Sequence, residues 1–183
     1  MHRLFIAIDL TEEIKAQLAE LCSGLPGAHW VPSEQLHLTL RFIGDTDDRL
    51  LAHLKDELTA IRLPPFTLSL QRIGCFPSPQ RPRVVWTGIQ GEATLFQLAT
   101  AVERVVTAAG LPAEQRPFTP HITLGRLKET KPAEFAVFQT QHAALHSPPF
   151  TVNEFHLYSS LLTRSGAIHR REQTYLLVNN GRS

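Results

Sequence analysis

The stretches LHLTLRFIGD (residues 36–45) and PHITLGRL (residues 120–127) carry the same short pattern, and this repeat is the main basis for the predicted fold. In each, a histidine, an apolar residue, a threonine and a second apolar residue follow one another in a segment with the composition of a β-strand. Two strands with one motif predict two similar lobes. Lobes that face each other would bring both motifs to the walls of one central cleft.

Side chains alternate between the two faces of a strand, so His37 and Thr39 share one face, and His121 and Thr123 do the same. Two imidazoles and two hydroxyls in one small volume can all donate hydrogen bonds, which suits a tetrahedral oxyanion such as phosphate. Because histidine titrates near neutral pH, the pair can also supply one general acid and one general base. These four residues are the predicted catalytic set.

Metal binding is the rival chemistry for paired histidines. It needs three or four ligands, and threonine is a poor one. The chain contains no HxH or HExxH motif that would supply a ready set of ligands. We therefore predict a site that works with no metal and no cofactor.

The rest of the chain alternates between strand and helix patterns, with no flexible linker. Strands are predicted over residues 3–10, 36–43, 63–76, 81–89 and 118–127, and in a closing hairpin of 150–164 and 169–178 that turns at Ser165 and Gly166. Helices are predicted over residues 11–22, 47–61, 93–109 and 132–144. Gly44 is expected to end the first motif strand. Many strands with short connections indicate an α+β fold with antiparallel sheets and outer helices.

Charge and composition narrow the class of protein. The formal net charge is only +1, so an acidic ligand must be held by local contacts rather than by an overall field. Cys22 and Cys75 form no CxxC pair, which argues against a zinc ribbon and favours a reducing compartment. The amino terminus lacks a signal-peptide pattern, and no apolar segment has the length of a membrane span. We expect a cytoplasmic protein that does not bind membranes.

The segments HLTL and HITL, the second within RPFTPHITLGR, resemble the two HxTx motifs of the 2H phosphoesterase superfamily. The chain is most similar to the bacterial RNA 2′,3′-cyclic phosphodiesterases, first described as RNA 2′-5′ ligases. RLFIAIDL, RVVWTGI and EFHLYSS add to a resemblance that covers nearly the whole chain. It implies a bilobal 2H phosphoesterase fold, with two pseudo-symmetric antiparallel sheets, outer helices and a central cleft, in one domain spanning residues 1–183.

The resemblance also implies a reaction, in which a terminal 2′,3′-cyclic phosphate on RNA or a nucleotide is opened to a 2′-phosphomonoester. It matches His37 to the proton donor for the leaving 3′-oxygen and His121 to the base that activates water. It matches Thr39 and Thr123 to the hydroxyls that hold the non-bridging oxygens, and Arg126 to a basic residue that often follows the second motif. A lesser, ATP-independent 2′-5′ RNA ligase activity is the reverse of a related step. We expect a monomer.

The pseudo-symmetry adds one substrate-binding pair. Phe42 and Arg126 both lie five residues after a motif histidine, and aromatic rings and guanidinium planes stack on nucleobases. We therefore predict that the terminal base lies between them. The odd spacing would place both on the wrong face of their strands, unless the strands end or bulge there. Gly44 and Gly125 favour such a break, because glycine often marks bulges and strand ends. The alternative is that Phe42 belongs to the core.

A non-catalytic binding role is the alternative function for the two motifs. The same nest of donors would serve a module that binds nucleotides or RNA ends, although binding alone does not require two groups that exchange protons.

Among the remaining histidines, His156 is the one expected nearest the cleft. Trp86 is expected in the core, Arg41 on parity at the cleft edge, and Arg171 in a solvated hairpin or against an RNA backbone.

Overall fold

A computed structural model describes residues 1–164 and 166–179 of the chain. The strands are β1 (His2–Asp9), β2 (Ala28–Trp30), β3 (His37–Thr46), β4 (Phe66–Ser78), β5 (Arg81–Gly91), β6 (His121–Leu127), β7 (Phe150–Val152), β8 (Glu154–Thr163) and β9 (Gly166–Leu176). The helices are α1 (Glu12–Leu21), α2 (Asp48–Leu58), α3 (Ala93–Ala108) and α4 (Pro132–Gln141). A single 3₁₀ turn, Ser33–Gln35, precedes β3.

The strands form two antiparallel sheets. Sheet A has the order β3-β1-β8-β9, and sheet B has the order β2-β6-β5-β4-β7. The motif strand β3 is at the edge of sheet A, whereas β6 lies between β2 and β5 in sheet B. Strands β3 and β6 approach each other to within 8 Å between Cα atoms, so the two motifs lie at the junction of the sheets. The predicted α+β fold of two antiparallel sheets is confirmed.

The helices cover the outer faces of the sheets. Helix α3 packs on β3 and on α2, and α4 packs on β4 and β5. On sheet A, the Tyr175 hydroxyl donates to the Lys55 carbonyl at 3.2 Å, which ties β9 to α2. On sheet B, the Gln139 side-chain amide donates to the Ile73 carbonyl at 2.9 Å. The inner faces of the sheets carry the motif side chains.

Some element boundaries differ from the sequence expectation. Gly44 does not end the first motif strand, because β3 continues to Thr46. Gly44 adopts a φ of +88° next to a register shift between β1 and β3, so this glycine serves a bulge inside the strand. The segment before β3 contains the short strand β2. Ser165 of the predicted closing turn lies outside the described residues.

Neither cysteine forms a disulfide. Cys75 is buried and Cys22 is half-buried. Burial raises the pKa of the Cys22 thiol to about 11, so it stays protonated at neutral pH. No helix in the described part of the chain is long and apolar enough to span a bilayer.

Candidate active site

The motif side chains lie as alternation predicts. Leu38 and Leu40 on β3 are 0% and 7% exposed and belong to the core, as do Ile122 and Leu124 on β6. The histidines and threonines between them are half-buried on the opposite face. The two pairs therefore point away from the core at the junction where β3 meets β6.

A β-bulge follows each motif and changes which later residues share its face. Thr39 is paired with Ala7 of β1, but the next pair is Arg41 with Ile6, so Leu40 is the extra residue. One extra residue reverses the alternation of the strand beyond it. Phe42 pairs with Phe5 and so returns to the face of His37 and Thr39.

The second motif has the same bulge at the equivalent position. Thr123 pairs with Trp86 of β5, whereas Gly125 pairs with Val85, so Leu124 is the extra residue. Arg126 then pairs with Val84, on the face of the second motif. The two bulges thus place Phe42 and Arg126 on the inner faces of their lobes, as the predicted base site requires.

Phe42 and Arg126 differ from Arg41 in their exposure to solvent and in their ion pairs. Phe42 is 64% exposed, which excludes a place in the core. Arg126 is exposed and makes no ion pair with any residue in the described part of the chain. The expectation for Arg41 was wrong, because the bulge turns it to the outer face. There its Nε donates to Glu103 on α3 at 2.7 Å, and a second nitrogen donates to the Pro112 carbonyl at 2.5 Å.

Each motif histidine is oriented by a carbonyl of its own chain. The Nδ1–H of His37 donates to the Gln35 carbonyl at 2.6 Å, and that of His121 donates to the Thr119 carbonyl at 2.7 Å. A carbonyl can only accept, so Nδ1 carries a proton in both rings. The reactive nitrogen of each histidine is therefore Nε2. The Gln35 side chain anchors this support by donating to the Ala167 carbonyl of β9 at 2.8 Å.

An aromatic cluster packs around His37. The ring of Phe5 stacks on it with a centroid distance of 4.9 Å, and Phe5 also stacks on Tyr158 at 5.2 Å. His169 of β9 meets His37 edge-on at 5.8 Å between centroids. The aromatic neighbours fix the plane of the His37 ring and remove much of its solvent.

A polar network lies beside this cluster on sheet A. Asp9 pairs with His37 across β1 and β3. Its carboxylate accepts a hydrogen bond from the Tyr158 hydroxyl at 2.6 Å and forms an ion pair with Arg171. His156 is completely buried below it, with Nε2 3.6 Å from the same carboxylate. Arg171 is thus held by an acid and is not simply a solvated hairpin residue.

The environment of His121 in the second lobe differs from that of His37. Gly88 is paired with His121, at the position that Asp9 occupies opposite His37. The ring of Trp86 lies 6.1 Å from that of His121 between centroids, on the inner face. Arg72 lies over Trp86, with its guanidinium carbon 5.7 Å from the ring centroid. Trp86 is half-buried beside the motif and is not simply a core residue.

Burial dominates the electrostatics of the first lobe. It lowers the pKa of His37, the hydrogen bond to the Gln35 carbonyl offsets part of this, and the nearby His169 lowers it further. Asp9 acts in the opposite direction because a carboxylate favours the imidazolium. Burial and the bond to Asp9 raise the pKa of Tyr158 to about 12, so the phenol stays protonated at neutral pH.

No group of three or more histidine, cysteine, aspartate or glutamate side chains within residues 1–164 and 166–179 is arranged to hold a metal ion. The surface cavity of about 390 Å³ lined by Asp47, Arg49, Leu50, His53 and Ala109 lies away from the motifs. The motif side chains instead lie on the inner faces of the sheets, where β3 meets β6.

The structure also adds neighbours that the sequence did not single out. Phe5, Asp9, His169 and Arg72 come from three other strands and contact or flank the motif histidines. Only Asp9 had a local signal, as the one charged residue in the apolar strand FIAIDL. His169, rather than His156, is the histidine in ring contact with the motif.

Comparisons with known proteins agree with this arrangement. A family model described as "LigT like Phosphoesterase" matches residues 8–86 and 88–169, and each stretch contains one HxTx motif. The RNA 2′,3′-cyclic phosphodiesterase of Archaeoglobus fulgidus is 35% identical over 172 residues, which is 92% of this chain and 96% of that protein. The protein of the same name from Escherichia coli is 33% identical over 181 residues, covering 89% of each chain.

A solved structure extends the likeness to the whole fold. The crystal structure of E. coli LigT complexed with 3′-AMP has a TM-score of 0.78 and 31% identity, covering 97% of this chain and 99% of that one. The predicted two-lobed fold and the predicted resemblance are both confirmed. With the family match over both halves of the sequence, this chain belongs to the LigT-like phosphoesterase family.

Proposed function

We propose that this protein is an RNA 2′,3′-cyclic phosphodiesterase that opens a terminal cyclic phosphate to a 2′-phosphomonoester. The observation that carries the proposal is the matched pair of histidines. Each has Nδ1 bound to a backbone carbonyl and Nε2 left for chemistry, and the two lie on strands that meet. The names of the relatives support the same activity.

In the proposed mechanism, His121 accepts a proton from water at Nε2 as the water oxygen attacks phosphorus. The bond between phosphorus and the 3′-oxygen breaks, and the Nε2–H of His37 donates its proton to that oxygen. The new phosphorus–oxygen bond and the broken one lie on opposite sides of the phosphate. Each proton transfer is worth about 10²- to 10⁴-fold in rate.

The threonines and Arg126 complete the phosphate site in this proposal. Thr39 and Thr123 lie on the same face as their histidines, where their hydroxyls are able to donate to the two non-bridging oxygens. Arg126 has no carboxylate partner in the described residues, so its charge is available to the phosphate. Donors placed for charge that grows in the transition state accelerate the reaction more than they strengthen substrate binding.

The role of His37 as proton donor requires its imidazolium form. Burial lowers the pKa of His37, so the imidazolium form is less populated in the free protein. The same shift makes the imidazolium a stronger acid once it is formed. Asp9 and an anionic phosphate at Nε2 both favour the proton. We therefore expect substrate binding to increase the protonated fraction of His37.

The base-binding site between Phe42 and Arg126 stays a proposal. It is supported by the two bulges, which bring both residues to the inner faces, and by the exposure of the Phe42 ring. E. coli LigT has been crystallised with 3′-AMP, which is a nucleotide with a phosphate on its ribose. Stacking of this kind is worth about 1–3 kcal/mol per base.

We also propose that the protein acts as a monomer in a reducing, cytoplasmic setting. Both motifs and their supporting carbonyls come from one chain, so the site needs no partner copy. The two free thiols fit a reducing compartment. The lesser 2′-5′ RNA ligase activity remains a prediction.

The decisive experiment uses an RNA that ends in a 2′,3′-cyclic phosphate and resolves the 2′- and 3′-monoester products. The protein should release only the 2′-monoester and should keep its rate in EDTA. His37→Ala and His121→Ala should each lower kcat/KM by at least about 10²-fold. His53→Ala is the matched control, because His53 is an exposed histidine on α2.

Two outcomes would refute the proposal. Binding of the RNA end without turnover would make the protein a binding module. Loss of turnover in EDTA, with recovery on addition of a divalent ion, would replace the metal-free mechanism.

A further inference from the structure

The inner face of sheet B carries a strained arginine outside the HxTx motifs. Arg72 is the extra residue of a bulge in β4, between the pairs Gln71 with Gly88 and Ile73 with Thr87. Its φ is +48°, in the left-handed region that residues with a side chain rarely adopt. Strain of this kind persists where the surroundings impose it, and it is concentrated at functional sites.

Arg72 and Trp86 are built against each other. The Trp86 ring lies directly against Gly74, where a Cβ atom would come within 2.2 Å of two ring carbons. Arg72 lies over the same ring, 5.7 Å from guanidinium carbon to centroid. Its Nε would stand 3.2 Å from a Cβ on Gly88, so its side chain occupies the space beside the partner of His121.

This pair has unused hydrogen-bond donors. Arg72 is exposed and forms no ion pair with any of the residues described. The buried indole Nε1–H of Trp86 likewise has no acceptor in the described part of the chain. The guanidinium of Arg72, exposed and without a carboxylate, can therefore donate to a ligand that supplies acceptors, while its position is held by the Trp86 ring.

The inner faces of the two sheets differ in how their arginines are paired. On sheet A the inner-face arginine, Arg171, is neutralised by Asp9, which pairs with His37. On sheet B the equivalent partner of His121 is Gly88, which brings no carboxylate to Arg72. Positive charge is therefore available on the sheet B side of the cleft and is cancelled on the sheet A side.

We propose that Arg72 and Trp86 form a subsite for the phosphodiester that joins the reacting nucleotide to its 5′ neighbour, so that the enzyme favours oligoribonucleotides over mononucleotides. The inference rests on the proposed function. Strand β4 is two strands from β6, about 10 Å at ordinary strand spacing, and Arg72 leans back across Gly88 toward the motif. The side chain therefore brings the guanidinium closer to the motif than its own strand is, toward a phosphate that follows the reacting one along a bound strand.

The test compares two substrates that differ by one 5′ nucleotide and its phosphodiester: cytidine 2′,3′-cyclic phosphate and a dinucleotide that ends in the same group. Arg72→Asn is the variant, because asparagine tolerates a left-handed backbone and the fold is kept. It should lower kcat/KM for the dinucleotide by about 10-fold, through KM, and leave the mononucleotide within about 2-fold. Arg104→Asn is the control, since Arg104 is an exposed arginine on α3, a helix outside the two sheets.

Salt dependence gives a second readout. For single strands, the slope of log(kcat/KM) against log salt changes by about −0.7 for each phosphate neutralised. The wild-type protein should show this extra slope for the dinucleotide only, and Arg72→Asn should remove it. Arg72→Lys keeps the charge and should retain the slope.

Each other outcome has a clear meaning. Equal losses on both substrates would place Arg72 at the reacting phosphate and overturn the subsite. No loss on either substrate would leave only a stacking contact with Trp86 and would also overturn it. If the wild-type protein hydrolyses neither substrate, the proposed function itself fails, and this result is distinct from the other two.

Discussion

Replacement of Phe42 by alanine tests the base-binding site most directly, because the ring lies on the inner face and touches little of the protein. Its aromatic neighbour is the ring of Phe5, at 5.9 Å between centroids. If the ring stacks on the terminal base, its loss should remove about 1–3 kcal/mol of binding, which is about 5- to 150-fold in Kd. Phe42→Tyr keeps the stacking surface and should bind nearly as the wild-type protein does.

The cost to stability should be small. Full burial of a phenylalanine side chain contributes about 1.5–3 kcal/mol. Phe42 is 64% exposed, so only about a third of that, about 0.5–1 kcal/mol, is lost on truncation. For a chain of this length, the melting temperature should fall by about 1–4 °C.

Calorimetry with two ligands separates binding to the base from binding to the phosphate. A nucleoside 2′-phosphate should bind Phe42→Ala much more weakly, whereas inorganic phosphate should bind as before. A parallel loss for both ligands, or a fall in melting temperature well beyond the range above, would refute the stacking role and make Phe42 a structural residue.

Four further predictions concern the motif residues and their neighbour. The pH profile of kcat/KM should be bell-shaped, with one apparent pKa below the usual histidine range because burial lowers the pKa of His37. A profile with one limb would contradict shared acid–base work. The kcat/KM of the double mutant His37→Ala/His121→Ala should be little lower than that of the poorer single mutant, because the two histidines act as a unit. Thr39→Val and Thr123→Val should lower kcat more than they weaken substrate binding, and a pure KM effect in steady-state assays would make them ground-state contacts. His169→Asn removes a like-charge neighbour, so NMR titration should show a higher pKa for His37, and an unchanged value would show that His169 exerts no such effect.

The motif faces were predictable from the sequence because strand alternation is a local rule. The apolar residues on either side of Thr39 assigned that face correctly. The bulge at Leu40 was not predictable, because an extra residue is defined only by pairing with another strand. For that reason Arg41 was placed at the cleft edge, whereas it binds Glu103 on the outer face.

The neighbours of the motif histidines were not predictable from the sequence either, because they too depend on strand pairing. Asp9, His169 and Arg72 reach the motifs only through strand order. The orders β3-β1-β8-β9 in sheet A and β6-β5-β4 in sheet B join parts of the chain that are far apart in sequence. The folded pairing also decides that Asp9 meets His37 while Gly88 meets His121. No property of either motif alone indicates this difference.

The carbonyl bonds of the two histidines have a consequence for the direction of the chemistry. In each ring the tautomer is fixed by a hydrogen bond to the carbonyl of the residue two positions earlier. The two histidines therefore have the same tautomer, and neither motif by itself determines which one gives and which one receives a proton. Microscopic reversibility then lets one pair of rings serve hydrolysis and the opposite reaction with their duties exchanged. On the proposed mechanism, the adjacent strand favours His37 as the ring that holds the proton, because it offers a carboxylate to His37 and only a glycine to His121.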